Sequence, residues 1–214
     1  MKRPPSRPTK QGRLFVIAAP SGAGKTSLVK ALLASEPHLR LSISHTTRKR
    51  RPTEVEGREY HFVSVPEFEQ QVARGEFLEH ARVFDNYYGT SRRFVEEQLR
   101  TGDDVILEID WQGAQQVRRA MPQCVSIFIL PPSRRALAER LARRATDSPE
   151  IIARRLADAV TDMSHYREFD YVVVNDNFDR ALADLKRIVA GHAEELTSGR
   201  RQLRPLVEEL LAPA

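Results

Sequence analysis

The chain has 214 residues, 41% of them hydrophobic, which is enough apolar material for one compact domain with small appended parts and excludes disorder throughout. Its formal charge of +5, from 34 Lys and Arg against 29 Asp and Glu, suits an anionic partner without choosing between a nucleotide, a nucleic acid and a membrane surface. The single cysteine, Cys124, excludes an intramolecular disulfide framework, fits a reducing compartment and reads as a small buried hydrophobe.

Residues 1–12, rich in Pro, Lys and Arg, read as a flexible basic tail. With the apolar run Leu14 to Ala19 they superficially resemble a secretory leader. That run is shorter than a leader's apolar region, and it leads into a glycine-rich loop and a helical pattern. No run approaches the roughly 18 apolar residues of a membrane-spanning helix, so the expectation is a cytoplasmic chain with no membrane partner.

Four nearly all-apolar runs read as strands covered on both faces: Leu14 to Ala18, Val105 to Ile109, Val125 to Leu130 and Tyr171 to Val174. Helical patterns lie between and after them, at Thr26 to Ala34, Ser91 to Arg100, Gly113 to Arg119 and Phe178 to Ala190. Alternating strands and helices predict an α/β fold with a central parallel sheet flanked by helices. Two stretches break the rhythm. Residues from about Ile43 to Tyr88 read as an insertion with a small sheet. Ser133 to Arg155 reads as helical and carries Arg134, Arg135, Arg140, Arg143, Arg144, Arg154 and Arg155.

Between the first strand and the first helix runs Ala19-Pro20-Ser21-Gly22-Ala23-Gly24-Lys25-Thr26. Glycines let successive backbone N–H groups face inward at a helix N-terminus, where the dipole favours anions, so the strand, loop and helix together read as a phosphate loop. Ala19 stands where the first glycine of the general pattern is usual. Lys25 is expected to reach the transferred phosphoryl group and Thr26 to ligate Mg²⁺. The ATP-binding set is expected to be Ala18, Ala19, Pro20, Ser21, Gly22, Ala23, Gly24, Lys25, Thr26 and Ser27. The loop alone leaves the phosphoryl acceptor open.

Further ordered motifs follow: Ser44-His45-Thr46-Thr47-Arg48-Lys49-Arg50-Arg51-Pro52, Glu54-Val55-Glu56-Gly57-Arg58-Glu59-Tyr60, Phe77-Leu78-Glu79-His80, Asn86-Tyr87-Tyr88-Gly89-Thr90, Asp110-Trp111-Gln112-Gly113, Ile129-Leu130-Pro131-Pro132-Ser133 and Val174-Asn175-Asp176. Together they closely resemble the guanylate kinases, from Gly12 to about Ala190. The resemblance implies transfer of the γ-phosphoryl group of ATP to GMP, and to dGMP, with Mg²⁺. It implies that Arg48, Arg51, Tyr60 and Tyr88 hold the GMP phosphate. Guanidinium forks bind phosphate bidentately, and phenol hydroxyls add hydrogen bonds without charge. It further implies that Glu79, Asp110, Ser44 and Thr90 recognise guanine, whose N1–H and N2 amino group are donors to an acceptor-only carboxylate. Asp110 also suits a Mg²⁺-bound water or an arginine partner, and Glu108 competes for the water.

The arginine-rich segment resembles the family's lid, with Arg140, Arg144 and Arg155 placed to stabilise charge on the transferred group. Ala145 stands where relatives commonly have glycine. Asn175 is implied to lie near the adenine of ATP. The resulting organisation is a core with the phosphate loop (13–43), a GMP-binding part (44–90), core (91–135), lid (136–155), core (156–200) and a C-terminal helix or tail (201–214).

No catalytic base is expected, since a monophosphate oxygen is already anionic near neutral pH. The six histidines show no metal or nucleophile spacing and read as structural or surface residues. Three alternatives compete: a kinase of another nucleotide or of a phosphorylated sugar, a non-enzymatic module holding phosphorylated peptides, and a nucleic-acid binder. The intact Gly24-Lys25-Thr26 opposes the second. The lack of any motif with base-reading or stacking spacing opposes the third, so no nucleic-acid partner is expected.

Overall fold

A computed structural model of the chain describes residues 11–83, 85–142 and 149–212. Strand β1 (Leu14–Ala18) is buried along its whole length and runs through the glycine-rich loop into α1 (Lys25–Ser35). Next come β2 (Leu39–Leu41), β3 (His45–Thr46), β4 (His61–Phe62), α2 (Val65–Ala73), β5 (Phe77–Val83), β6 (Asn86–Ser91) and α3 (Arg92–Thr101). The chain continues through β7 (Asp104–Glu108), α4 (Trp111–Ala120), β8 (Val125–Leu130), α5 (Arg134–Ala142) and α6 (Pro149–Ser164). It ends with β9 (Tyr171–Val174), α7 (Phe178–Ala190) and α8 (Arg204–Leu211).

Five strands form a parallel sheet in the order β2-β7-β1-β8-β9. Ile127, Phe128 and Ile129 of β8 are fully buried, as expected where helices cover both faces. The other four form a mixed sheet, β4-β3-β6-β5, in which β3 runs parallel to β4 and β6 antiparallel to both β3 and β5. The α/β architecture expected from the sequence is therefore present, with its small second sheet.

Strands β1, β8 and β9 and helix α7 coincide with their predicted ranges. Strand β7 begins and ends one residue earlier than predicted. Asp104 joins the strand because its N–H donates to the His38 carbonyl (3.0 Å), while its carboxylate accepts from the Arg13 backbone N–H (2.7 Å). Helix α4 starts two residues earlier than its predicted range. Strand β2 and helix α2 are additions that the sequence reading lacked.

The chain packs as two compact units. Among the described residues, the first comprises 11–15, 38–107 and 115–124; the second comprises 16–37, 108–114 and those from 125 to 212. Within the first, α2 is started by a capping box in which Ser64 and Glu67 satisfy one another's backbone N–H groups, and Phe68 stacks on Phe77 with centroids 4.6 Å apart. Within the second, Asn177 caps the start of α7 and Gly191, with φ 79°, its end. Arg143, Arg144 and Ala145 of the expected lid lie outside the described residues.

Candidate active site

The second unit holds the phosphate-loop half. After β1 the chain turns through Pro20 to Gly24, with the Ala23 N–H donating to the Pro20 carbonyl (3.2 Å) and Gly22 and Gly24 at φ 88° and 92°. Gly24 is the N-cap of α1, and a Cβ built on it would meet Nδ2 of Asn175 at 2.4 Å. Positive φ and that close approach both require glycine here. Asn175, buried at the end of β9, donates from Nδ2 to the Ala23 carbonyl (2.7 Å) and accepts on its own carbonyl from Nη2 of Arg140 on α5 (2.9 Å). Through its side-chain amide and its backbone carbonyl, this one residue ties the loop to an arginine of the segment expected to close over the nucleotide. Nη1 of Arg140 is buried, with no hydrogen-bond partner among the described residues.

Lys25 and Thr26 open α1. Lys25 Nζ donates to the Ile109 carbonyl (2.7 Å), and Thr26 Oγ1 donates to Oε1 of Glu108 (2.5 Å), so the two reach the last residue of β7 and the one after it. Thr26 and Ser27 are exposed, and Ala18 and Ala23 are buried under the loop. A hydroxyl beside a carboxylate is a pair of hard oxygen donors, which fits Mg²⁺. Among the described residues no group of three or more His, Cys, Asp or Glu side chains is placed to hold a metal. A hydroxyl and one carboxylate suit an ion that takes the rest of its shell from phosphate oxygens and water. Asp110 starts α4, accepting from the Gly113 N–H at 2.7 Å. Arg155 is half-buried on α6.

The first unit holds all the residues expected to bind GMP except Asp110. Glu79 lies opposite Thr90 in the β5/β6 ladder, with a register shift between Phe77 and Glu79. That bulge breaks the in-out alternation, so Phe77, Leu78 and Glu79 are all buried in succession. Glu79 is 4% exposed and accepts from Thr90 Oγ1 at 2.6 Å. Burying a carboxylate is costly unless donors surround it.

Arg48 packs its guanidinium against the ring of Tyr60 (5.3 Å to the centroid), and Tyr60 meets Tyr88 edge to face at 5.8 Å. Three of the four residues expected to hold phosphate are therefore adjacent. Arg48 Nη2 donates to Glu54 Oε1 at 2.7 Å, which raises the guanidinium's pKa and holds the Glu54 carboxyl below its ordinary value. Arg51 sits across the same carboxylate, its N–H bound to Glu54 Oε2 (2.8 Å) and its side chain 69% exposed. Ser44 leads into β3, its carbonyl accepting from the His61 N–H (2.9 Å).

Sequence reasoning assigned no role to Glu54, although it sits three residues after Arg51 in the motif. It also passed over the pairing of Trp111 with Asp162 (Nε1 to Oδ1, 3.1 Å), which only the fold brings together.

A buried strand, a glycine loop and a Lys-Thr helix start, set in a parallel sheet flanked by helices, define a P-loop nucleotide-binding protein. Residues 11–192 match the family model described as guanylate kinase, and the chain belongs to that family. Guanylate kinase of Methylococcus capsulatus is 58% identical over 203 residues, covering 94% of this chain and 98% of the relative. That of Escherichia coli K12 is 55% identical over 206 residues, covering 94% and 99%. A crystal structure of guanylate kinase from Anaplasma phagocytophilum superposes with a TM-score of 0.70 at 35% identity, covering 93% of this chain and 95% of that one.

Proposed function

We infer that this chain transfers the γ-phosphoryl group of ATP to GMP, giving ADP and GDP. The observation that carries the acceptor assignment is the buried Glu79 carboxylate, beside the Thr90 hydroxyl, in a chain whose phosphate loop keeps Lys25 and Thr26. Ionised, Glu79 accepts the N1–H and N2–H of guanine, whereas adenine sets a lone pair at N1 against it. Thr90, Ser44 and Asp110 complete the base contacts.

Arg48, Arg51, Tyr60 and Tyr88 hold the GMP phosphate, with Glu54 aiming Arg48. dGMP carries the same guanine and phosphate groups as GMP, differing only at the ribose 2′ position, and serves as acceptor too. The loop from Ala18 to Ser27 cradles the ATP phosphates, Lys25 follows the transferred group, and Asn175 fixes the loop from behind. Thr26 would hold Mg²⁺, and Glu108, hydrogen-bonded to Thr26, would accept from a water bound to the ion. Mg²⁺ supplies neutralisation of charge across the β- and γ-phosphates when bound. Arg140, Arg144 and Arg155 stabilise the charge on the transferring phosphoryl group. A GMP phosphate oxygen forms the new bond to the γ-phosphorus as the bond to the β–γ bridging oxygen breaks. Positioning and electrostatics then supply catalysis without a protein base.

The test is ADP release with GMP as acceptor, alongside Lys25→Ala. Turnover should fall at least about 10³-fold in the variant while GMP affinity stays within about twofold. A large loss of GMP binding would contradict the assigned division between donor and acceptor residues.

A further inference from the structure

Trp111, the only tryptophan of the chain, stands in the first turn of α4, directly after Asp110. Its indole stacks on the imidazole of His165 with centroids 3.5 Å apart and planes 9° from parallel. Its N–H donates to Oδ1 of Asp162 on α6 at 3.1 Å. His165 is fixed in turn by Glu168, Nδ1 to Oε1 at 2.6 Å. The indole is thus held in its plane by a stack and along its edge by a carboxylate, all within one unit.

A half-buried tryptophan calls for a partner for its N–H, and a neutral acceptor would serve. Asp162 is instead a partly buried carboxylate facing a second carboxylate, Asp110. Burial first and Asp110 second push its pKa up to about 6; Asp158 adds to the rise, while the Trp111 hydrogen bond and Lys25 oppose it. A charged acceptor makes the stronger hydrogen bond. Asp110, meanwhile, spends one oxygen capping α4 through Gly113, so the direction of its carboxylate follows the placement of this first turn.

We propose that Asp162 is a positioning residue for GMP recognition: through the Trp111 N–H it locks the first turn of α4 and thereby aims the Asp110 carboxylate. The proposal rests on the reading of Asp110 as a GMP contact.

The test compares wild type, Asp162→Ala, Asp162→Asn, Trp111→Phe and Asp110→Asn. It uses steady-state kinetics for each substrate and, where Trp111 is retained, the GMP Kd from its emission without ATP. Asp162→Ala should raise the KM and Kd for GMP about tenfold and leave the ATP KM within twofold. Asp162→Asn, which keeps an acceptor, should recover most of that loss. Should Asp162→Ala fail to fold, Trp111→Phe, which keeps an aromatic ring for the stack but lacks the N–H, carries the same kinetic expectation. A GMP KM within twofold of wild type in these variants, or equal rises for both substrates, overturns the proposal. Asp110→Asn separates the two levels. If it leaves the GMP KM unchanged, the reading of Asp110 falls. If it raises that KM while Asp162→Ala does not, only the positioning role falls.

Discussion

Glu79 and Thr90 face each other across β5 and β6 and share a 2.6 Å hydrogen bond, with Glu79 4% exposed and Thr90 fully buried. Thr90 occupies one acceptor site of a carboxylate that the β-bulge turns inward. Glu79→Ala should lower kcat/KM for GMP by at least about 10²-fold, because a recognition site that loses its acceptor leaves guanine donors unpaired. The ATP KM should stay within about twofold. Equal effects on both substrates would argue against a role in base recognition.

Arg48 is aimed by Glu54, whose carboxylate also accepts from the Arg51 backbone. Glu54→Gln keeps the shape but loses the charge that orients the guanidinium. The GMP KM should rise about tenfold, equivalent to ~1.4 kcal/mol, with little change in the ATP KM. Steady-state titration of each substrate checks this.

Gly24 combines φ 92° with a missing Cβ that would lie 2.4 Å from Asn175 Nδ2. Gly24→Ala should cost at least about 1 kcal/mol of stability and raise the ATP KM, since relief of the clash moves either the loop or the Asn175 amide that holds it. Thermal unfolding together with ATP titration reads both effects.

Asp162 gives a pH-dependent signature. Its folded pKa, about 6, lies above its ordinary value of 3.8, so the native state binds the proton more tightly than the unfolded chain. Its contribution therefore falls as pH rises from about 4 to about 6 and stays at its least favourable above that. Asp162→Asn removes the charge and should stabilise the protein by about 1–2 kcal/mol at pH 7.5, after allowance for solvent screening, and by less at pH 5. Unfolding at the two pH values should show the gain shrinking at the lower one; a gain independent of pH would refute the assignment.

Strands β1, β8 and β9 were legible because each is an unbroken apolar run, and α7 because its apolar periodicity lies between Asn177 and Gly191. Strand β2, three residues long, was hidden because its identity comes from pairing with β7 rather than from its own pattern. Helix α2 did carry a readable signal, Ser64-Val65-Pro66-Glu67, within a segment otherwise read for its motifs. The phosphate loop was legible because its chemistry is contiguous. The bulge that buries Glu79, the Glu54 support of Arg48 and the Asp162–Trp111 contact are products of pairing and packing, which a linear pattern does not display.

The central claim is that GMP is the acceptor. Its most direct test is ADP formation with ATP and Mg²⁺ across GMP, dGMP, AMP, CMP, UMP and phosphorylated sugars. GMP, followed by dGMP, should exceed every other acceptor in kcat/KM by at least about 10²-fold. Comparable turnover of AMP and GMP would contradict the account.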